Sequence, residues 1–175
     1  MKRDFLSQVE KNIEVQAGGL LAMAREDQAF SQARSELARL EIADRLRAKI
    51  GKSIKVLIIE IGWFEGTVQQ VFLDHLLLKI HSKLWLIKFF SLQAVQRLEQ
   101  GVKKPNRLEK NWTISSTFRD WMIDQTKVTI QTVQGLSING EITRIYQDHL
   151  EIGSALEVTA VPFQAILVAM RNYEI

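Results

Sequence analysis

A short segment of this chain occurs twice, and the repetition limits the folds that the chain can adopt. Residues 66–78, GTVQQVFLDHLLL, return 74 residues later as residues 140–152, GEITRIYQDHLEI. A glycine, an aspartate, a histidine and a leucine are identical, and four further positions exchange one apolar side chain for a similar one. Because an internal repeat is one structural unit used more than once, we expect two copies of one small unit.

A second match suggests that the unit extends beyond this segment. Residues 92–95, LQAV, resemble residues 163–166, FQAI, at an offset of 71 instead of 74. The change of offset predicts that three residues were lost between the two matches, as loops allow.

The residues around both copies predict short strands. Alternation of apolar and polar residues and β-branched runs indicate strands over residues 54–61, 63–71, 76–80, 84–90 and 95–98, and again over 127–133, 136–145, 150–152, 157–161 and 166–171. Turns are predicted over residues 91–94 and 162–165. Short strands at this spacing are typical of small barrels, which close to remove exposed sheet edges. The glycines at 66 and 140 lie inside strands, where glycine marks a bend or a close backbone approach.

Two helices are predicted beside the strands. Apolar residues at three- and four-residue steps indicate a helix over residues 20–49. The pattern Thr117-x-x-Asp120 is a capping box in its aspartate form and predicts a short helix over residues 118–124. The chain therefore divides into an N-terminal helical segment (1–50), a first barrel (51–100), a basic linker without periodicity (101–113), and a helix with a second barrel (114–175).

Composition sets the compartment and the charge. The 175 residues include no cysteine, which excludes disulfides and thiolate metal sites and fits a reducing compartment. Glu10 and Lys11 interrupt any signal-peptide core, and the apolar residues 17–24 are too few to span a bilayer. We therefore expect a cytoplasmic protein without a membrane partner.

Residues 51–113 carry ten basic and five acidic side chains, whereas residues 114–175 carry four and seven. A polyanion would meet the first repeat and the linker.

The spacing of glycines and aspartates resembles a known family. Residues 56–74, with Gly62, Gly66 and Asp74 separated by alternating apolar positions, are similar to the first sequence motif of the Sm-like barrel. Residues 128–148 are similar to it again, and residues 85–95 and 158–166 stand where the second motif would be. The segments LARLEIADRLRAKIG and VPFQAI also resemble a poorly characterised bacterial family of helix-plus-two-barrel proteins, which implies no activity.

The resemblance implies a fold and a function. The fold is mainly β with helices: two tandem Sm-like five-stranded small barrels, each preceded by a helix, plus the N-terminal helical segment. Sm-like proteins bind RNA with an Asn after the motif aspartate and an Arg-Gly in the second motif, and form rings by edge-strand pairing. Here histidines, His75 and His149, follow the aspartates, and neither repeat has the Arg-Gly pair.

Ten residues are candidates for binding single-stranded RNA or DNA. Cationic side chains would attract phosphates, Trp112 would stack on a base, and the Asp-His turn would contact a base or, with its carboxylate, a metal. The candidates are Lys52, Lys55, Asp74, His75, Lys83, Lys88, Lys103, Lys104, Arg107 and Trp112, with Asp148 and His149 at the repeat-equivalent turn.

Each candidate also has a purely structural interpretation. The aspartates can accept turn N–H groups while the histidines cap the barrels, and the linker can be solvated with Trp112 folded back on the second barrel. Trp85, Phe89 and Phe90 can be core residues or an exposed aromatic surface.

No residue pattern supports catalysis. Gly51-Lys52-Ser53 lacks the first glycine of a phosphate-binding loop, because Leu46 stands there. Gly135-x-Ser137-x-x-Gly140 misses the spacing of a nucleophile elbow by one residue. The three histidines are too scattered for a metal site, so we expect a non-enzymatic module without cofactor or metal. The alternative to nucleic-acid binding is a protein-interaction or scaffold role, in which the N-terminal helix and barrel edges recruit other proteins or copies of the chain, including a ring of three chains.

Overall fold

The strands dominate the structure, a computed structural model that describes residues 41–99, 101–153 and 157–173. Ten strands lie in these ranges, and each overlaps one predicted strand. They are β1 (Ser53–Ile58), β2 (Gly62–Val71), β3 (His75–Ile80), β4 (Lys83–Lys88), β5 (Leu92–Gln96), β6 (Lys127–Thr132), β7 (Ser137–Ile145), β8 (His149–Gly153), β9 (Val158–Pro162) and β10 (Ile166–Asn172). The prediction of a mainly β protein is confirmed.

The ten strands form one open antiparallel sheet and not two separately closed barrels. Its order is β5-β1-β2-β3-β4-β10-β6-β7-β8-β9. The first five strands and the last five therefore follow the same order, with the fifth strand of each set beside its first. The two sets join where β4 pairs with β10.

The two halves keep one offset of 74 residues throughout, so the predicted loss of three residues is wrong. Both β4–β5 and β9–β10 connections are 3-10 turns, at Phe89–Ser91 and Phe163–Ala165. Leu92 is thus equivalent to Ile166, and the match of LQAV to FQAI is a coincidence of letters. Three backbone hydrogen bonds outside the ladders have an equivalent 74 residues later. The bond from Phe72 N to His75 O matches that from Tyr146 N to His149 O, and the bond from Phe89 N to Asp74 O matches that from Phe163 N to Asp148 O. The third pair is Ile59 N to Ser91 O and Val133 N to Ala165 O.

The register shifts of the ladders also recur. β2 gains one residue against β3 between Val68 and Gln70, and β7 gains one against β8 between Ile142 and Arg144. A bulge of this kind bends a strand and increases its twist. The bent strands are therefore a shared property of the two halves.

Two hydrophobic cores lie along the sheet, and β4 and β10 contribute to both. Trp85 and Ile87 of β4 point into the core of the first half, whereas Leu84 and Leu86 point into that of the second. β10 does the same, with Val168 in the first core. Because successive strand residues face opposite sides, a strand between two cores is apolar at every position.

Three helices in the described ranges pack beside the strands. They are α1 (Ile42–Arg47), α2 (Arg107–Asn111) and α3 (Ile114–Ile123). Residues 20–40 of the predicted helix lie outside the described ranges. The segment predicted to be a linker without regular structure contains α2, whose capping box of Asn106 and Glu109 is complete. α3 begins earlier than predicted, because Thr117 lies inside the helix and does not cap it.

Close approach between strands explains why both halves have glycine in their bent strand. A Cβ on Gly66 would lie 2.6 Å from the carbonyl oxygen of Lys79 and less than 3 Å from side-chain atoms of Leu78 and Ile80. A Cβ on Gly140 would lie 3.1 Å from the amide nitrogen of Gly153. The predicted close approach is confirmed, and it is tighter in the first half.

We expect Gly66→Ala to destabilise the protein by about 1–3 kcal/mol, because the methyl group overlaps a backbone oxygen that cannot move without breaking the β2–β3 ladder. Gly101→Ala is the matched control, since its Cβ would lie 3.6 Å from the Cβ of Ala48, an ordinary contact. Urea unfolding of the full chain measures both, and equal effects would contradict the close-approach explanation.

Candidate nucleic-acid interface

The first Asp-His turn is closed by a chain of hydrogen bonds. His75 Nδ1 lies 2.6 Å from Asp74 Oδ1, and His75 Nε2 lies 2.8 Å from the hydroxyl oxygen of Thr117. The same hydroxyl accepts a hydrogen bond from Trp112 Nε1 at 3.0 Å. The Nδ1–H group can donate to the Asp74 carboxylate, and the Thr117 hydroxyl links the His75 and Trp112 rings, so each of these polar atoms has a partner. His75 is fully buried, so it has a structural role and offers no ring face to a ligand.

The same turn sets the charge state of its aspartate. Burial works to raise the pKa of Asp74, but the hydrogen bond and charge of His75, with backbone N–H groups, outweigh burial and hold that pKa below its ordinary value. The carboxylate is therefore kept ionised and partnered inside the turn.

Trp112 also folds back, and it packs against the second hydrophobic core. Its ring stacks on Phe72 with 5.7 Å between centroids and an interplanar angle of 18°, and Phe72 in turn contacts the ring of His75 at 4.8 Å. The predicted packing of Trp112 on the second repeat is therefore confirmed, and its contact with the first repeat is through Phe72, which is itself part of the second core.

The second Asp-His turn has the same aspartate–histidine contact, but both side chains are more exposed to solvent. His149 Nδ1 lies 2.7 Å from Asp148 Oδ1, and the His149 ring stacks on Tyr146 at 4.4 Å. Tyr146 and Asp148 are exposed. Glu151 lies beside this turn, because its carboxylate is 3.4 Å from the Tyr146 hydroxyl and 3.4 Å from the Arg144 guanidinium.

Three of the predicted cationic residues are occupied by protein groups. The Lys104 ammonium lies 2.7 Å from the buried carboxylate of Asp44, and that of Lys52 lies 3.8 Å from Glu99. Lys88 donates to the carbonyl oxygen of Phe163 at 2.6 Å, and burial lowers the pKa of Lys88 despite the opposing charge of Asp74. These lysines stabilise the fold and are less available for phosphates.

Four predicted cations remain available to a ligand. Lys83, Lys103 and Arg107 are exposed and Lys55 is partly exposed, and no carboxylate of the described ranges lies within ion-pair distance of them. They belong to β1, β4 and the segment after β5, all within the first repeat and the predicted linker.

Two exposed aromatic rings stand beside lysines of the first repeat. Trp63 is 42% exposed, with the Lys55 ammonium 5.3 Å from its ring centroid. Phe90 is 52% exposed, with the Lys88 ammonium at 4.7 Å. The equivalent pairs of the second repeat are Thr129 with Ser137 and Pro162 with Gln164. Trp63 is not among the residues predicted to bind a ligand, although strand alternation places it on the outward face with Glu65 and Thr67.

The junction between the repeats is held by side chains as well as by the β4–β10 ladder. Its contacts are the Lys88 bond to Phe163, the Ser91 hydroxyl bond to the carbonyl of Leu167 at 3.2 Å, the Lys79 ammonium 4.4 Å from the Tyr173 ring, and the His75 bond to Thr117.

The two free edges of the sheet, at β5 and β9, lack these side chains. The equivalents of Lys88, Ser91 and Lys79 on the β9 side are Pro162, Ala165 and Gly153, and the equivalent of Thr117 on the β5 side is Ala43. A copy of the chain at a free edge would therefore gain backbone bonds without the side-chain contacts of the internal junction.

No protein-family model matches the sequence, and no curated protein is significantly similar to it. Within residues 41–99, 101–153 and 157–173, no three potential metal-ligating side chains lie together. No helix of these ranges combines the length and apolarity needed to cross a bilayer.

We expect Thr117→Val to destabilise the protein by about 1–3 kcal/mol, because it leaves buried nitrogens of His75 and Trp112 without a partner. Thr126→Val is the same chemical change at a hydroxyl that is buried and has no hydrogen-bond partner in the described ranges, so it should be neutral or stabilising. Denaturant unfolding compares the two, and an equal loss would show that the Thr117 bonds contribute nothing specific.

Proposed function

We propose that this protein is a non-catalytic binding module of two tandem Sm-like small barrels, whose first repeat and following basic segment bind single-stranded RNA or DNA. The barrel assignment is supported by the repeated strand order, the bulge in each bent strand and the glycine beside it. The separate hydrophobic cores of the two repeats support it as well.

One observation carries the choice of ligand: exposed rings beside lysines occur on the first repeat and not at the equivalent positions of the second. Single-stranded nucleic acids bind by attraction of phosphates to cations together with stacking of bases on aromatic rings. Lys55 with Trp63 offers both features, and Phe90 adds a second exposed ring. Lys83, Lys103 and Arg107 add positive charge without a competing carboxylate.

The charge distribution restricts the proposed site to one repeat. The second repeat is acidic, and its open turn carries Asp148 and Glu151. Phosphates would be repelled there, so a strand bound to the first repeat would not extend over the second turn.

The ionic part of binding is tested by salt. Replacing Lys55, Lys83 and Lys103 together with Gln should weaken binding of a ten-nucleotide single strand and reduce the slope of log K against log salt by about 2, since each contact to a single-stranded phosphate contributes about −0.7. The matched control replaces Arg119, Lys127 and Arg144 of the second repeat with Gln. Fluorescence anisotropy at several salt concentrations measures both, and equal slopes, or salt-insensitive binding, would contradict the proposal.

The free sheet edges support a second candidate, a protein-interaction role. Phe163 N donates to Asp148 O, so by the alternation of antiparallel bonds the N–H of Ala160 points away from β8. Such unpaired groups can accept a strand from another protein. Because the junction side chains are missing, a copy of this chain should pair only weakly at this edge.

Substitution at the β9 edge distinguishes this role. If copies pair there, Ala160→Pro should abolish any mass above the 20.1 kDa of one chain, since proline removes the outward N–H but is tolerated at an edge. Ala160→Ser keeps the N–H and is the control. Light scattering over a concentration series measures the mass. Assembly that persists in Ala160→Pro but disappears on deletion of residues 1–30 would assign it to the N-terminal segment.

A further inference from the structure

A groove lies beside the bent strand of each repeat, at equivalent positions. The groove of the first repeat, about 540 Å³, runs past Gly66 and is lined by Trp63, Phe64, Lys79 and His81 among others. The groove of the second, about 760 Å³, runs past Gly140.

The walls of the two grooves differ in chemistry. Trp63 and Phe64 are replaced by Ser137 and Ile138, and Lys79 by Gly153. The second groove has instead two carboxylates, Glu141 and Glu157. Only the first groove combines aromatic rings with basic side chains.

The two aromatic rings that line the first groove differ in exposure, because one packs on a buried ring and the other points outward. Phe64 is half-buried and packs on Trp85 with 4.9 Å between ring centroids. Trp63 follows the opposite alternation, so it stands outward with Lys55 beside it. An exposed indole next to an ammonium is costly to leave in water and suits a planar ligand that carries negative charge.

The one carboxylate of the first groove is neutralised within the protein. Glu65 forms an ion pair with Arg97 and accepts a hydrogen bond from the Ser53 hydroxyl at 3.0 Å. These hydrogen bonds, that of Arg97 above all, lower the pKa of Glu65. The remaining ionisable lining groups, Lys79 and His81, are basic.

We propose that this groove is a base-binding subsite, in which one unstacked base of a single-stranded nucleic acid stacks on Trp63 while its phosphate faces Lys79 and His81. The inference rests on the proposed nucleic-acid binding and assigns its stacking position. The basic side chains and the aromatic wall of this groove favour a nucleotide as its occupant. The groove of the second repeat lacks the aromatic wall.

The experiment uses the full chain with ten-nucleotide strands of uridine or thymidine. We expect Trp63→Ala to weaken binding roughly 5- to 150-fold, the range of one lost base stack, without changing the salt slope. Trp63→Phe keeps a ring and should recover most of the affinity. Tyr146→Ala, which removes an exposed ring of the second repeat, is the control for general loss of aromatic surface and should bind as tightly as the unaltered chain.

A direct measurement on the unaltered chain accompanies the variants. Trp63 is the most exposed of the four tryptophans, since Trp85 and Trp121 are buried and Trp112 is partly covered. Iodide should therefore quench mainly Trp63, and the bound strand should protect it. Unchanged quenching, or Trp63→Ala binding as tightly as the unaltered chain, would overturn the subsite while leaving nucleic-acid binding intact. Failure of the unaltered chain to bind either strand at low salt would overturn both.

Discussion

The pairing of β4 with β10 is the interaction on which the rest of the structure depends. Trp85 and Ile87 belong to one core, and Leu84 and Leu86, on the alternate positions, belong to the other. Neither repeat therefore has a core of its own that is complete without the other repeat. Burial of apolar surface is the main favourable term in folding, so the two repeats should unfold together. A first repeat cut at the junction would expose the face of β4 that carries Leu84 and Leu86.

The duplication preserved the backbone more strictly than the side chains. Bulges, 3-10 turns and the hydrogen bonds that close them recur at one offset, because they set the path of the chain. The side chains at the junction diverged: Lys88 and Ser91 bond across it, whereas Pro162 and Ala165 stand at the free edge. Edge strands risk unwanted pairing with other chains. Proline at the end of β9 and the absence of matching side chains reduce that risk without altering the internal ladder.

Most of the secondary structure could be predicted from the sequence because the strands have a two-residue period or an unbroken apolar run. The runs at 76–78 and 84–87 are unbroken because two cores flank them, a reason that only the topology reveals. The offset of the last match could not be found from letters, since Phe89-Phe90-Ser91 and Phe163-Gln164-Ala165 share a 3-10 turn but one residue type only. α2 was missed although its capping box, Asn106 with Glu109, was present in the sequence. The start of α3 was misplaced because Thr117 forms side-chain bonds that a cap pattern cannot distinguish.

The site was harder to predict than the fold, because the positions of cations relative to carboxylates depend on tertiary contacts. The acidic residues nearest to Lys104 in sequence are Glu99 and Glu109, yet its partner is Asp44 on α1. His75 is closed by Thr117, 42 residues away. These contacts remove the first β2–β3 turn and part of the linker from the surface that a ligand could use. What remains on the first repeat is the outward face of β1 and β2, where Lys55 and Trp63 are diagonal neighbours across the ladder. Thr117 belongs to α3, the helix that packs against the second core. By closing the His75 turn, α3 therefore also determines which face of the first repeat stays exposed.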